Sequence, residues 1–182
     1  TMKMKNSLAP FAFAAALGVL SLEAAPAQAQ DGRFGVYAGY AFLHTDDGSL
    51  HGARVSPEYR LSGPLWVAAD VSAEKGTLAS TDTTLLTFMG GLRVRKSLGS
   101  AAVYVHGLAG GVRTSSSITP FKGVSISVSD TGLGLDGGGG LEFKLSGLRM
   151  RVGADYLRRE VDIGGGKTEH VSDIRATVGL VF

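Results

Sequence analysis

Cysteine is absent from the 182 residues. That excludes a disulfide framework, a thiolate metal site and thiol chemistry. A large excess of one charge is also lacking, since 18 Lys and Arg face 16 Asp and Glu for a formal net charge of +2. Such balance gives no reason to expect nucleic acid as a partner. No nucleic-acid module, phosphate-cradling loop or redox motif is present either. Long apolar runs are missing beyond residues 8–22, and that stretch is shorter than the roughly 20 residues of a spanning helix. Glycine is plentiful at 27 residues, but it shows no collagen period. No repeat of about 20–50 residues marks a solenoid.

The first thirty residues read as a leader. Lys3 and Lys5 form a short positive region, an alanine-rich apolar run follows, and Ala27-Gln28-Ala29 supplies a small-x-small cleavage site. Residues 1–29 are therefore expected to be a signal peptide and residues 30–182 a single exported domain. Without Lys3, Lys5 and Glu23 the mature net charge is about +1.

What is abundant is alternation. Leu133, Leu135, Gly137, Gly139, Leu141, Phe143 and Leu145 alternate with Gly134, Asp136, Gly138, Gly140, Glu142 and Lys144. A period of two is the mark of a strand, because successive side chains point to opposite faces. The same pattern recurs over residues 33–44, 50–61, 65–75, 83–95, 148–159 and 170–182. Residues 101–113 are apolar and glycine-rich on both sides, so they read as a strand whose facing stays open. Ser62-Gly63-Pro64, residues 96–100 and Ser146-Gly147 have the chemistry of short turns. Longer polar segments near residues 44–51, 75–83, 114–130 and 161–169 alternate with them and are expected to be loops. Pro57 lacks a ladder donor, which predicts a bulge or frayed site.

The apolar faces carry almost no charge, while the charges share a face with Gly, Ser and Thr. A soluble barrel would have the opposite arrangement. The pattern predicts an all-β fold, an eight-stranded antiparallel up-and-down transmembrane β-barrel, with apolar side chains facing lipid and polar ones inside. Closure removes the open strand edges that lipid cannot satisfy. Strands of about ten to thirteen residues are close to the ~9–11 needed to cross at a tilt.

On these residues, and on the last strand Ala176-Thr177-Val178-Gly179-Leu180-Val181-Phe182, the chain resembles the small eight-stranded outer-membrane barrels of the OmpA/OmpX and opacity-protein kind. The resemblance covers residues 33–182. It implies that Val178, Gly179, Leu180 and Phe182 form the signal read by the outer-membrane assembly machinery. It also implies residence in the outer membrane of a Gram-negative bacterium.

The inward face is read as holding Arg54, Arg60, Arg93, Arg95, Lys144, Arg149, Arg151 and Arg175 against Glu58, Asp70, Glu74, Asp136, Glu142, Asp155 and Asp173. An eight-stranded barrel is just wide enough for side chains to fill it. The expected site is therefore a lumen ion network of Arg54, Glu58, Asp70, Arg93, Asp136, Glu142, Arg151, Asp155, Asp173 and Arg175, which plugs the barrel.

Catalytic signals are weak. His170-Val171-Ser172 has the His-x-Ser spacing of lipid A deacylases, but no Glu follows it. His44, Asp46, Asp47 and His51 could hold a divalent ion, but a turn at Asp47-Gly48 explains the same residues without one. His106 reads as a packed residue. No catalytic, cofactor or metal residue is assigned, and no cofactor is expected. The expected role is structural or surface-interacting, covering envelope integrity or adhesion, without catalysis. A lipid A-modifying enzyme or a narrow channel using the interior is the alternative. Expected partners are outer-membrane lipids and lipopolysaccharide, the assembly machinery, and a host or envelope ligand at residues 114–130. A monomer is expected.

Overall fold

A computed structural model describes residues 33–79, 81–121, 124–162 and 168–182. The expected leader lies outside the described residues. Eight antiparallel strands follow one another, each paired with its sequence neighbours, and β8 returns to β1 to close the barrel. They are β1 Phe34–Thr45, β2 Gly48–Ser62, β3 Leu65–Leu78, β4 Thr81–Leu98, β5 Ala101–Phe121, β6 Val124–Leu145, β7 Leu148–Asp162 and β8 Thr168–Val181. Successive pairing in the up-and-down order needs only short connections, and closure leaves no sheet edge around the ring.

The period-two pattern decides the facing. Phe34, Tyr59, Phe88, Leu92, Leu133, Leu135, Tyr156, Ile174 and Phe182 are all exposed, whereas Arg151, Arg175, Glu74 and Asp70 are almost fully buried. An apolar exterior around a charged interior suits a hydrocarbon surround. On β5 the structure turns Ala102, Tyr104, His106, Leu108 and Val112 inward and leaves Val103 and Val105 outside, which decides the facing that the sequence left open.

The two-residue Ser146-Gly147 connection has φ of 51° and 87°. Two successive positive φ values match the twist of the flanking strands. The turn pairs Leu145 with Leu148, Lys144 with Arg149 and Glu142 with Arg151.

The expected loops are the main correction. β1 and β2 pair up to Thr45↔Gly48, and β3 and β4 up to Leu78↔Thr81. Most of residues 114–130 forms a hairpin rather than a loop, running from Thr114↔Asp130 through Ser117↔Ser127 and Ile118↔Ile126 to Phe121↔Val124. Backbone amides that would otherwise need solvent are satisfied by continuing the ladder. Ser, Thr, Val and Ile side chains tolerate the pleat well enough to allow this. Of residues 161–169, Val161 and Asp162 belong to β7, paired with Glu169 and Thr168 of β8.

Proline 57 causes no bulge. It sits in register with Val36, while the β2–β3 pairing skips Ser56 and Pro57 and its register shift lies between Arg60 and Ser62. The carbonyl of Ala69 accepts from the Ser56 hydroxyl at 3.0 Å. That bond offsets the amide that proline cannot offer.

Inside, two layers fill the lumen. Toward the short-turn end lie most of the charged side chains, while Arg159 and Asp173 lie at the far side of the barrel with the apolar cluster. Toward the long-strand end Leu43, Leu50, Leu85, Met89, Leu108, Val112 and Leu157 form a buried apolar cluster. The ion-paired plug expected from the sequence is accompanied by this apolar cluster, which the sequence does not lead one to expect.

Candidate functional site: the ion-paired lumen

Every strand but β1 supplies at least one ion-pairing side chain to the lumen, because each crosses the barrel with alternate positions turned in, and β1 adds the Tyr37 ring. Arg54, Glu58, Asp70, Arg93, Asp136, Glu142, Arg151, Asp155, Asp173 and Arg175 are all buried. The structure gathers them into three groups rather than one.

The middle group centres on Arg54. Its Nε donates to Asp70 Oδ2 at 2.6 Å, and its Nη2 lies 3.8 Å from Asp136 Oδ2. A third contact joins its Nη1 to Asp155. Arg175 joins this group through Glu74 at 3.0 Å and Asp136 at 3.1 Å. His106 Nε2 lies between Asp136 Oδ1 at 3.1 Å and Asp155 Oδ1 at 3.3 Å. A carboxylate stripped of water is tolerated only when cations and donors surround it, and here each one touches at least one guanidinium or the imidazole.

Nearer the short turns, Arg151 donates from Nη2 to Glu58 at 2.9 Å and to Glu142 at 2.6 Å. Arg93 also reaches Glu58, and Arg95 approaches Glu142 at 3.2 Å. Aromatic faces sandwich this group: Arg151 stands 5.1 Å from the Tyr37 ring centroid and 5.0 Å from that of Tyr104, and Arg93 stands 5.2 Å from Tyr104. Guanidinium stacking of this kind supplements the ion pairs. Glycine makes room for Tyr104: a Cβ on Gly153 would come 2.2 Å from its hydroxyl, and one on Gly140 2.8 Å from it.

The third group is separate. Arg159 Nε donates to Asp173 at 2.8 Å, and Arg159 Nη1 donates to Thr114 at 3.1 Å. Asp173 thus pairs with Arg159 rather than with the central arginines. The sequence reading did not name Arg159 as inward, nor Leu157 beside it, although the parity of Asp155 already implied both. His106 reads from the sequence as packed on a strand of open facing, and the structure buries it.

His106, Asp136 and Asp155 could each turn a ligand atom to one metal ion, all within 4.8 Å of one another. Arg54 already pairs with the Oδ2 atoms of both carboxylates, and His106 faces their Oδ1 atoms. In the first connection, His44 Nδ1 lies 3.4 Å from Ser49 Oγ, and His51 is bonded by the Tyr40 hydroxyl instead. The Asp47 amide donates to Thr45 Oγ1 at 3.2 Å, which is turn chemistry.

The His-x-Ser pair fares no better as a nucleophile and base. Ser172 Oγ accepts from the Tyr156 hydroxyl at 2.7 Å, and no hydrogen bond joins it to His170 among the described residues. Glu160 does stand opposite His170, but on the preceding strand. At the seam, Phe182 exchanges two backbone bonds with Val36, at 2.9 Å and 3.1 Å, and Gly179 lies against Ala38 and Gly39 so closely that a Cβ would collide.

Over residues 12–182 the chain matches the outer membrane protein β-barrel domain family. No individual curated protein matches it. Among solved structures it is similar to Neisserial surface protein A, with TM-score 0.60 and 20% identity over 82% of this chain and 96% of that one. It is also similar to Ail, the attachment invasion locus protein of Yersinia pestis, with TM-score 0.59 and 19% identity over 82% and 97% of the two chains. A further structure of Ail holds the heparin analogue sucrose octasulfate. The N-terminal barrel of OprF from Pseudomonas aeruginosa gives TM-score 0.53 at 11% identity, over 82% and 98%. At these identities the likeness is one of fold.

Proposed function

The chain belongs to the outer membrane protein β-barrel domain family, and from that premise we propose that it is a non-catalytic surface-interaction barrel of a Gram-negative outer membrane. The observation that carries this reading is the β5–β6 hairpin. These strands have 21 and 22 residues, against 12 to 18 in the others, so the hairpin overhangs the other strands at the end opposite the Ser146-Gly147 turn. In an outer-membrane barrel that end faces outward. The packed lumen supports the same reading, since it leaves little space for a substrate or a permeant solute.

Ail's capture of a heparin analogue makes a sulfated glycan a sensible probe for this hairpin. Lipopolysaccharide is the second partner of this reading. Lys75, Arg113 and Arg158 face outward toward the long-strand end, where cations would meet lipid phosphates.

The test replaces residues 115–129 with an Asn-Gly turn that joins Thr114 to Asp130. The expected outcome is a barrel that folds, shown by heat-modifiable migration, on cells that no longer adhere to heparin-coated surfaces and whose lipid A is unchanged. Undiminished adherence would overturn the role of the hairpin. Lipid A deacylated by the purified wild-type barrel would overturn the non-catalytic reading.

A further inference from the structure

The short-turn end carries positive charge that the lumen network does not neutralise. Segments 60–66, 93–102 and 142–151 hold Arg60, Arg93, Arg95, Lys96, Lys144, Arg149 and Arg151, but only one acid, Glu142. That acid is already engaged. Its Oε1 accepts from Arg151 at 2.9 Å and 2.6 Å, and its Oε2 faces Arg95 at 3.2 Å. Glu58, the next acid inward, is held by Arg93 and Arg151.

Lys144 and Arg149 are left over. They stand directly opposite each other in the β6–β7 register, and neither forms an ion pair among the described residues. Like charges placed so are destabilising. The hairpin cannot relieve them by slipping, because a one-residue slip would send Glu142 and Arg151 out into lipid. Both side chains share the inward parity of Glu142 and Arg151.

The same two cations and Arg95 line a pocket of about 130 Å³ with Ser97, Gly99, Ser100, Phe143 and Glu142, whose carboxylate is held by Arg95 and Arg151. The Lys144 amide donates to the Ser100 carbonyl at 3.4 Å and fixes one wall. The Arg149 fork and the Lys144 ammonium, with two hydroxyls and the Arg95 guanidinium that Glu142 shares, suit a tetrahedral oxyanion bearing more than one charge. A carboxylate would use fewer of these donors.

We propose that this mouth is a binding site for a phosphate-bearing anion, with Arg95, Lys144 and Arg149 as its cationic contacts. The bound anion would lie between Lys144 and Arg149 and turn a repulsive cross-strand pair into a bridged one. Two sources share this chemistry: a soluble phosphate compound at that end of the barrel, or the headgroup of an anionic phospholipid in the adjoining leaflet.

Trp66 is the only tryptophan, and the Arg95 guanidinium lies 5.4 Å from its ring centroid, so its fluorescence reports on the pocket. In the first arm, the refolded barrel in non-ionic detergent is titrated with pyrophosphate at constant ionic strength, with chloride as the control. In the second, the barrel is placed in phosphatidylcholine nanodiscs with and without phosphatidylglycerol. The expected result is a saturable Trp66 response to pyrophosphate that chloride does not give. Lys144→Ala should weaken it about tenfold or more, the loss of one charge-assisted hydrogen bond. If a lipid headgroup is the native occupant, phosphatidylglycerol alone also gives the response and competes with pyrophosphate; if a soluble phosphate is, the lipid arm stays silent.

Lys144→Glu guards against misfolding, because it pairs with Arg149 and should raise the unfolding midpoint while abolishing the response. No saturable response in either arm would overturn the proposal. So would an undiminished response from folded Lys144→Glu.

Discussion

Arg54 shows how much a single residue can hold in a small lumen. Its guanidinium reaches three aspartates from three other strands, Asp70, Asp136 and Asp155, so β2, β3, β6 and β7 meet at one side chain. Buried ion pairs add little net stability over an apolar filling, yet removing one partner leaves stranded charge. Arg54→Ala would leave three carboxylates with only Arg175 and His106 beside them. The expected loss is about 3–5 kcal/mol, read from urea unfolding of the barrel in lipid vesicles. A loss below about 1 kcal/mol, the scale of an exposed pair, would mean that water already enters this layer.

Among the elements, β8 carries two separate demands. Its exposed face of Ile174, Val178 and Phe182 meets lipid, while Asp173 and Arg175 face the lumen. It also closes the ring, over the eight pairs from Tyr37↔Val181 to His44↔Ile174, with Phe182 adding its two bonds to Val36. Deleting Phe182 removes one ring and two bonds at the end of a long ladder. The apolar part amounts to about 1.5–3 kcal/mol at most. Refolding in detergent should therefore survive. The resemblance noted for this strand implies recognition during assembly, so the amount in the outer membrane of cells should fall sharply. Equal insertion with and without Phe182 would count against a terminal assembly signal.

For the whole molecule, the lumen is sealed by two unlike materials. Leu43, Leu50, Leu85 and Leu157 are essentially inaccessible, and beneath them the guanidinium and carboxylate groups interlock. Around Tyr37, Arg54, Tyr104, His106 and Arg151 the residual space is about 10 Å³, on the scale of a single water molecule. An ion would have to cross an apolar layer with nothing to replace its hydration. Reconstituted into planar bilayers, the barrel should show no steady conductance. Regular open steps that survive repurification would show that the apolar layer parts, and would revive the channel reading.

The strands, the facing of all but β5 and the lipid-exposed exterior were legible in the sequence because a period of two is written residue by residue and each of those strands displays it. Even the Glu142–Arg151 contact followed from the length of one turn. The apolar upper plug was legible only through parity. Leu43, Leu85 and Leu157 look identical in composition to the leucines that face lipid, and only parity carried through the full strand separates them. The hairpin at residues 114–130 was read as a loop because polar residues suit both states, and what decides between them is a neighbouring strand that offers backbone partners. Which arginine meets which carboxylate depends on the stagger of eight strands around a closed ring. That stagger brings together residues as distant in sequence as Arg54 and Asp155, and no local pattern encodes it.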